Sequence, residues 1–433
     1  MALPGTIPTY LPPLPPPHRM PPPPGVNPPG FPLGSPSEAP LRRENVLRIV
    51  DHFMAPPFDL SHGEQVERSA RQSGYQGPVQ RTELTKDPMT EDVTQASFRA
   101  LGGGELSPEE TRAALNRGMV GAQVGLLNGA AQVLNADARA GVSNSVTNLS
   151  LGSGPANVAQ SVYREARQGW GPAPTPPALN DIPELQEMHR QDRASYERSK
   201  QTMTNLANAW GIDPKVLSDP DPAVHGPARQ RFQQHLLDAA QASSESPSVQ
   251  AAQKNYQRAE TAYTANNNSV VVSAGNWGSL LDDMRADNGN RELKVDPDFH
   301  RNVLVGDNSI SVGALDLDPK TGAPRVAPYS NRDSEVDVYA YGTVPGANGT
   351  SFAAPRVAAV AQALRLQNPN ASQETIRREV LRVFTTQGPD GPPGNQEQSG
   401  NVANFLGEVQ WPRQNFVIPG PGLGSGPSFP PPQ

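Results

Sequence analysis

A single serine stands between a Gly-Thr pair and an alanine-rich run, and this segment constrains the fold more than any other in the chain. It reads Asn-Gly-Thr-Ser-Phe-Ala-Ala-Pro from Asn348 to Pro355, and the helix-forming run continues to Ala361. A serine that opens a helix exposes its hydroxyl, while its backbone N–H points at a developing anion. An ordinary helix start explains a capping serine and an early proline, but not the whole segment. Ser351 is therefore a candidate nucleophile.

Two other runs predict buried strands that each deliver a polar residue at the carboxyl end. Val46–Val50 is a short apolar run followed by Asp51, and three valines after Ser269 lead through Ser-Ala-Gly to Asn276. Such runs suit buried parallel strands, and α/β folds place functional groups at the carboxyl ends of such strands. Because strands and helical segments alternate, the sequence predicts an α/β fold with a mostly parallel sheet covered by helices on both faces.

The segment around Ser351 resembles the nucleophile motif of the subtilisin-like serine proteases, the subtilases. In that family the catalytic residues follow the chain order Asp, His, Ser. Seven histidines are present, and His62 opens a helical run that reads Ser-His-Gly-Glu-Gln-Val. This run resembles, in part, the His-Gly element of the family, so the resemblance implies that His62 is the general base. The alternative is a surface histidine in a loop.

The acid has two candidates. Asp51 lies at the end of a predicted strand, which is also where the resemblance implies the acid should be, although His52 follows it where the family normally has Ser or Thr. Asp59 lies in a loop after Pro56-Pro57 and is closer to His62 along the chain. We favour Asp51 because of the strand end, and we predict that its carboxylate lies about 2.6–3.2 Å from His62 Nδ1.

The resemblance implies roles for four further residues. Asn276 matches the asparagine whose side chain donates to the oxyanion, and the alternative is a turn asparagine after a strand. Ser150, Leu151 and Gly152 resemble the Ser-Leu-Gly segment that lines the substrate cleft, where an extended peptide pairs through main-chain hydrogen bonds. The runs at 310–314 and 336–340 resemble the two core strands that precede the nucleophile. The implied fold is subtilisin-like.

Composition divides the chain into three parts. Residues 1–44 are Pro-rich and predicted to be disordered, residues 45–412 form the predicted catalytic domain, and residues 413–433 form a second disordered tail rich in Pro and Gly. Residues 169–248 have no counterpart in a minimal subtilase. We predict that they form a helical insertion on the rim of the catalytic domain, with helices from Leu185 to Trp210 and from Pro227 to Ala242. Residues 1–40 serve as a spacer or as a ligand for a proline-binding partner.

Charge and cysteine content exclude several classes of protein. The net charge is −7 without a basic cluster, which argues against nucleic acid or an anionic membrane as a partner. The absence of cysteine excludes disulfides and thiolate chemistry. No secretory signal or membrane span is apparent, so we expect a cytoplasmic protein or one exported by a non-classical route.

No metal or organic cofactor is expected for the chemistry. Many subtilases bind calcium, and acidic segments lie at Asp282-Asp283 and from Asp287 to Asn290. Their spacing matches no calcium-loop signature, so we interpret both segments as solvated loops.

The sequence thus supports two functional hypotheses. The first is a serine endopeptidase with Asp51, His62 and Ser351 as its triad and Asn276 in its oxyanion hole, acting on peptides or proteins. The second is a catalytically weakened subtilase fold that serves as a binding or scaffold protein with Pro-rich docking arms. The altered sequence around Asp51 and His62 motivates the second hypothesis.

Overall fold

The computed structural model describes residues 45–53, 60–85, 87–175, 183–332, 336–384, 395–396 and 401–409. The strands are β1 (Leu47–Asp51), β2 (Val79–Glu83), β3 (Val146–Leu149), β4 (Ser269–Ser273), β5 (Ser309–Leu317), β6 (Pro324–Val326), β7 (Val338–Tyr341), β8 (Thr343–Val344), β9 (Ala347–Asn348) and β10 (Asn395–Gln396). The helices are α1 (His62–Gln72), α2 (Pro88–Gly103), α3 (Pro108–Arg139), α4 (Pro155–Gln168), α5 (Pro183–Ala209), α6 (Pro214–Leu217), α7 (Pro222–Ser244), α8 (Pro247–Thr264), α9 (Leu280–Asp287), α10 (Thr350–Gln367), α11 (Gln373–Val383) and α12 (Asn401–Glu408), with a 3₁₀ turn at Pro297–His300. Both predicted disordered ends, and with them the proposed proline-rich ligand, lie outside the described residues.

The central sheet is parallel along its main path. Its strand order is β10-β7-β5-β4-β3-β1-β2, and β6 adds to β5 in the antiparallel sense. Val50 of β1 lies beside Leu149 of β3, and β3 in turn pairs with β4. The register therefore brings the residues that follow β1, β3 and β4 to one edge of the sheet. The mostly parallel α/β sheet predicted from the sequence is confirmed.

Helices cover the sheet on both faces. Leu47 and Ile49 of β1 point into a core that contains α1 and α10, whereas Val50 points into a core with α3 and α8. Successive side chains of a strand point to opposite faces, and all five residues of β1 are buried. Burial on both faces explains why β1 and β4 read as continuous runs rather than as alternating patterns.

The predicted insertion folds as helices and builds a core of its own with the neighbouring elements. Phe232 of α7 is fully buried, and its ring meets Trp170 and Trp210 edge-on at 5.9 and 4.9 Å between ring centroids. The same core includes Trp277, which lies in the loop after β4. The predicted start of the second helix at Pro227 is wrong. The helix begins at Pro222, because the Asp221 side chain caps it.

The sequence predicts a loop that holds Gly102-Gly103-Gly104 after the helix at His62, but the structure forms β2 and α2 in this segment. β2 is an edge strand with the sequence Val-Gln-Arg-Thr-Glu and is only half-buried, so it shows no apolar run. α2 ends at Gly103, and the sequence favoured a loop there because of its three glycines. Gly102 instead lets α2 lie close to α5, since a Cβ at this position would lie 3.1 Å from the backbone oxygen of Arg198.

Both segments predicted as solvated loops are structured. Asp282 and Asp283 lie in the first turn of α9, and the second segment is held by contacts with other helices. Asp287 ends α9 and forms an ion pair with Arg167 of α4, with 2.5 Å between Oδ2 and Nε. Asn288 is fully buried and donates to Gln233 of α7 at 2.7 Å. The prediction failed here because the polar side chains join α4, α7 and α9, a set of contacts that composition cannot reveal.

Candidate active site

Asp51 and His62 meet at the carboxyl edge of the sheet. The Oδ1 atom of Asp51 lies 2.7 Å from His62 Nδ1, within the range predicted from the sequence. The Asp51 side chain is completely buried, and the His62 side chain remains 38% exposed. The buried carboxylate holds Nδ1 of a ring that is itself partly exposed. Asp59, the rival acid, lies outside the described residues.

Local sequence explains how α1 presents His62. Ser61 is the N-cap, and it forms a reciprocal capping box with Glu64, which satisfies two donors of the first turn. The backbone N–H of Gly63 donates to the carbonyl of His52 at 3.0 Å. A Cβ at Gly63 would lie only 2.7 Å from the Phe53 ring. The start of α1 thus packs directly against the residues that follow β1. This close packing explains how His62 reaches Asp51 although the two are only eleven positions apart in the chain.

Ser351 lies in the first turn of α10, which the sheet and α1 hold from both sides. The hydroxyl of Ser150, just after β3, donates to the backbone oxygen of Ser351 at 2.7 Å. The hydroxyl of Ser69 in α1 donates to the backbone oxygen of Phe352 at 2.6 Å. These contacts fix the start of α10 relative to β3, the neighbour of the strand that carries Asp51, and relative to the helix that carries His62.

His62 and Ser351 are neighbours through Phe352. The rings of His62 and Phe352 lie 5.7 Å apart between centroids, and Ser351 is 8% exposed. Among the described residues, no hydrogen bond is found for the Ser351 hydroxyl. Bonds between a nucleophile and its base are often long in free enzymes and shorten when substrate binds, so the arrangement remains compatible with proton transfer.

Asn276 follows β4 and contacts the start of α10. Its Oδ1 accepts from the backbone N–H of Thr350 at 2.8 Å and from the Thr350 hydroxyl at 3.0 Å. An amide whose oxygen is fixed must direct its NH₂ group elsewhere. A Cβ at Gly349 would lie 3.2 Å from Asn276 Nδ2, so the donor lies beside the turn that leads into Ser351.

The loop that carries Asn276 is held on its other side. Gly275 has a φ of +115°, and a Cβ there would come within 2.4 Å of the Trp277 ring. The Asn331 side chain donates to Ala274 O at 2.7 Å. The Trp277 indole donates to His300 O at 2.6 Å. The Gly before Asn276 is therefore required by geometry, in agreement with the Ala-Gly-Asn sequence.

The three residues predicted to line the cleft serve different purposes. The Ser150 side chain is buried and used for the contact with Ser351, so only its backbone is left for a substrate. The Leu151 carbonyl accepts from Asn302 at 3.1 Å. Leu151 and Gly152 line a cavity of about 360 Å³ together with His52. Main-chain pairing of a peptide with residues 150–152 remains a prediction.

Several residues of the site were not assigned from the sequence. Thr350 is part of the sequence motif around Ser351, but the sequence analysis assigns it no role. Its position next to the candidate nucleophile could have indicated one. His52 and Glu83 form a partly exposed pair with 3.3 Å between Nδ1 and Oε1, and Glu83 Oε2 also accepts from the backbone of Phe53 at 2.7 Å. No sequence signal pointed to Glu83, because β2 itself was missed.

Within the described ranges, no group of three or more His, Asp or Glu side chains is arranged to hold a metal ion. No helix in the part of the chain that the structure describes is both long and apolar enough to cross a membrane. That the chemistry needs no metal or organic cofactor stays a prediction.

A profile of the subtilase family matches residues 128–401, which is more than half of the chain. The chain belongs to the subtilase family. This match contains Ser150, Asn276 and Ser351, and it begins after Asp51 and His62, where the sequence departs most from the family pattern. Membership places the chain in a family of serine proteases and confirms the subtilisin-like fold predicted from the sequence.

Solved structures similar to this subtilase include three proteases. A lanthipeptide protease shares 12% identity over 84% of this chain and 89% of its own, with a TM-score of 0.36. A cold-adapted subtilisin-like serine proteinase shares 13% identity over 82% and 88%, with a TM-score of 0.30. Sphericase shares 14% identity over 79% and 84%, with a TM-score of 0.28. A search of curated protein sequences gave no match.

Proposed function

We propose that the chain is a serine endopeptidase that hydrolyses peptide bonds with Asp51, His62 and Ser351. The observation that carries the proposal is the 2.7 Å contact between Asp51 and His62, at the sheet edge where α10 presents Ser351. A buried acid, a half-exposed imidazole and a serine at a helix start form the set that acyl transfer needs.

In this mechanism the Ser351 hydroxyl attacks the scissile carbonyl while His62 Nε2 takes its proton. Asp51 holds the imidazole in the required tautomer and stabilises the imidazolium, without itself becoming protonated. The Ser351 backbone N–H and the Asn276 side chain donate to the oxyanion. The imidazolium then protonates the leaving amine, and a water activated by His62 hydrolyses the acyl-enzyme.

A fluorophosphonate probe tests the nucleophile directly. We expect the wild type to be labelled, and labelling to be lost in Ser351→Ala but kept in the control Ser279→Ala, a partly exposed serine on the neighbouring α9 cap. Circular dichroism verifies that each variant is folded. A folded wild type that takes up no label would refute the proposal.

The second candidate, a binding or scaffold subtilase, has one observation in its favour. The Asp51 Oδ2 atom is buried and has no hydrogen-bond partner among the described residues, so the acid is incompletely supported. Hydrolysis of unfolded casein separates the two functions. Turnover that disappears in Ser351→Ala supports the peptidase, whereas casein binding without turnover, unchanged in Ser351→Ala, supports the scaffold.

A further inference from the structure

Two cavities lie side by side near the candidate active site and share one wall. The first, here called the proximal cavity, is the one of about 360 Å³ lined by Leu151 and Gly152. The second, here called the distal cavity, has about 340 Å³ and is lined by Phe98, Leu101 and Val162 among others. Phe98 lines both, so the two cavities are neighbours across this single side chain.

The wall at Phe98 is fixed by packing against α3. A Cβ at Gly118 of α3 would lie 2.7 Å from the Phe98 ring, and a Cβ at Gly121 would lie 2.2 Å from the Thr94 hydroxyl. These two glycines let α2 approach α3 closely, so that α2 presents its other side chains to the cavities. Phe98 therefore packs against α3 at the boundary between the two cavities.

The opposite wall is a single face of α4. Asn157 lines the proximal cavity, while Ser161 and Glu165 line the distal one. These residues are four apart and lie above one another on a helix. The cavities therefore belong to one groove between α2 and α4. Its far end is closed by Arg198 and Thr202 of α5, an element of the predicted insertion.

The groove has the length of a short extended peptide. The eight helical steps from Asn157 to Glu165 span about 12 Å at 1.5 Å per residue, which corresponds to about four residues of an extended chain at 3.3 Å each. The apolar lining of the distal cavity comes from the partly exposed Phe98 and from Leu101 and Val162, of which little is exposed. The rim of this cavity carries the charges of Arg99, Glu165 and Arg198.

We propose that this groove binds the part of a polypeptide substrate that extends beyond the residues next to Leu151 and Gly152, with an apolar side chain seated in the distal cavity. The proposal rests on the proposed peptidase function and names its substrate class as long, unfolded polypeptides. The groove begins at Leu151 and Gly152, and α5 closes its far end. The insertion is therefore a specificity element.

The test combines a variant that fills the distal cavity with peptides of different length. Ser161 is exposed on the groove face of α4, and Ser161→Trp fills the distal cavity without disturbing the core. Arg164→Trp, on the same helix but lining neither cavity, is the matched control. The probe is the casein peptide that the wild type cleaves best, shortened one residue at a time from either end.

We expect shortening from one end to lower kcat/KM at least tenfold once the residues that reach the distal cavity are lost. For each protein we divide kcat/KM for the full peptide by kcat/KM for the shortened peptide. This ratio should be at least tenfold smaller in Ser161→Trp than in the wild type, and it should be unchanged in Arg164→Trp. Equal ratios in wild type and Ser161→Trp overturn the groove proposal while the peptidase function stands.

Binding to the inactive protein separates this result from a failure of the proposed function. If the wild type cleaves no casein, fluorescein-labelled unfolded casein is titrated with Ser351→Ala and followed by fluorescence anisotropy. If the double variant Ser351→Ala/Ser161→Trp binds casein at least tenfold more weakly than Ser351→Ala, the groove binds polypeptide in a non-hydrolytic protein. Affinity that is unchanged by Ser161→Trp, or absent, overturns it.

Discussion

The two carboxylate oxygens of Asp51 have different environments, and this difference bears on its role. Oδ1 accepts from the backbone N–H of His52 at 2.7 Å and faces His62 at 2.7 Å. Oδ2 is buried without a partner among the described residues. A buried acceptor that lacks a donor lowers the stability of the folded protein. The candidate acid is therefore held in place at the expense of stability.

Asp51→Asn should lower kcat by about 10⁴, as the same change does in a trypsin-like enzyme, because the amide favours the wrong imidazole tautomer. KM should change little, since no substrate contact is lost. Steady-state kinetics on a casein peptide measures both quantities, and circular dichroism verifies the fold. Asp59→Asn should be silent. A loss confined to Asp59→Asn would show that the strand-end argument for the acid is wrong.

Thr350 connects the candidate oxyanion donor to the nucleophile helix. Its hydroxyl donates to Asn276 Oδ1 and accepts from Gly275 N–H at 3.2 Å. Thr350→Val keeps the shape and removes the hydroxyl, so we expect kcat to fall about five- to tenfold from the loss of about 1 kcal/mol of orientation. Asn276→Ala should cost more, about 10²–10³ in kcat.

A double-mutant cycle in kcat decides whether Thr350 acts through Asn276. If it does, Thr350→Val should have almost no effect in the Asn276→Ala background. Equal effects in both backgrounds would instead mean that Thr350 acts independently of the amide. The exposed Thr343 supplies the control, and Thr343→Val should leave kcat unchanged.

At the scale of elements, the contact between α2 and α3 shapes the groove beside the site. Gly118→Ala places a methyl group 2.7 Å from the Phe98 ring, so one of the two helices must shift. We expect the free energy of unfolding to fall by about 1–3 kcal/mol, the usual cost of overpacking. Urea unfolding followed by circular dichroism measures this change.

Gly103→Ala is the matched control for that prediction, since no atom lies within 4 Å of a Cβ at this position. It should be neutral or slightly stabilising, because alanine is a better helix former than glycine by about 1 kcal/mol. Destabilisation of equal size in both variants would point to a general loss of glycine flexibility, and it would contradict the packing argument.

At the scale of the whole molecule, one buried carboxylate makes stability depend on pH. Glu260 of α8 is 1% exposed and lies against Gly306. Burial, and to a lesser degree the nearby charge of Asp307, raise the pKa of Glu260 from 4.5 to about 7, and a hydrogen bond from the backbone of Asn308 opposes them. The folded state therefore holds a proton that the unfolded state releases.

Between pH 4.5 and 7 the folded chain binds more protons at Glu260, so the free energy of unfolding should fall as pH rises through this window. The loss amounts to about 3 kcal/mol and is complete above pH 7. Glu260→Gln should remove this slope, whereas the exposed Glu292→Gln should retain it. Urea titrations at pH 5, 6, 7 and 8 measure the slope, and a wild type whose stability is flat across them would refute the assignment.

Much of the fold was predictable because its signals are local. The valines of β4 and the apolar run of β1 specify strands buried on both faces, and the Ser107 capping signature marks the start of α3 at Pro108. Asp51, Asn276 and Ser351 lie at strand or helix ends, positions that short sequence patterns identify. By itself, the sequence thus determined the core strands of the sheet, the fold family and the choice of candidate site residues.

Only the tertiary structure decided which polar residues become internal supports. Arg48 interrupts the apolar run of β1, yet it is fully buried and forms an ion pair with Asp137 of α3, with 3.2 Å between Nη1 and Oδ1. Ser150 turns its hydroxyl to α10, and α2 depends on glycines of α3. These partners lie far apart in the chain, and no local pattern encodes a contact that exists only after the sheet and its helices have packed.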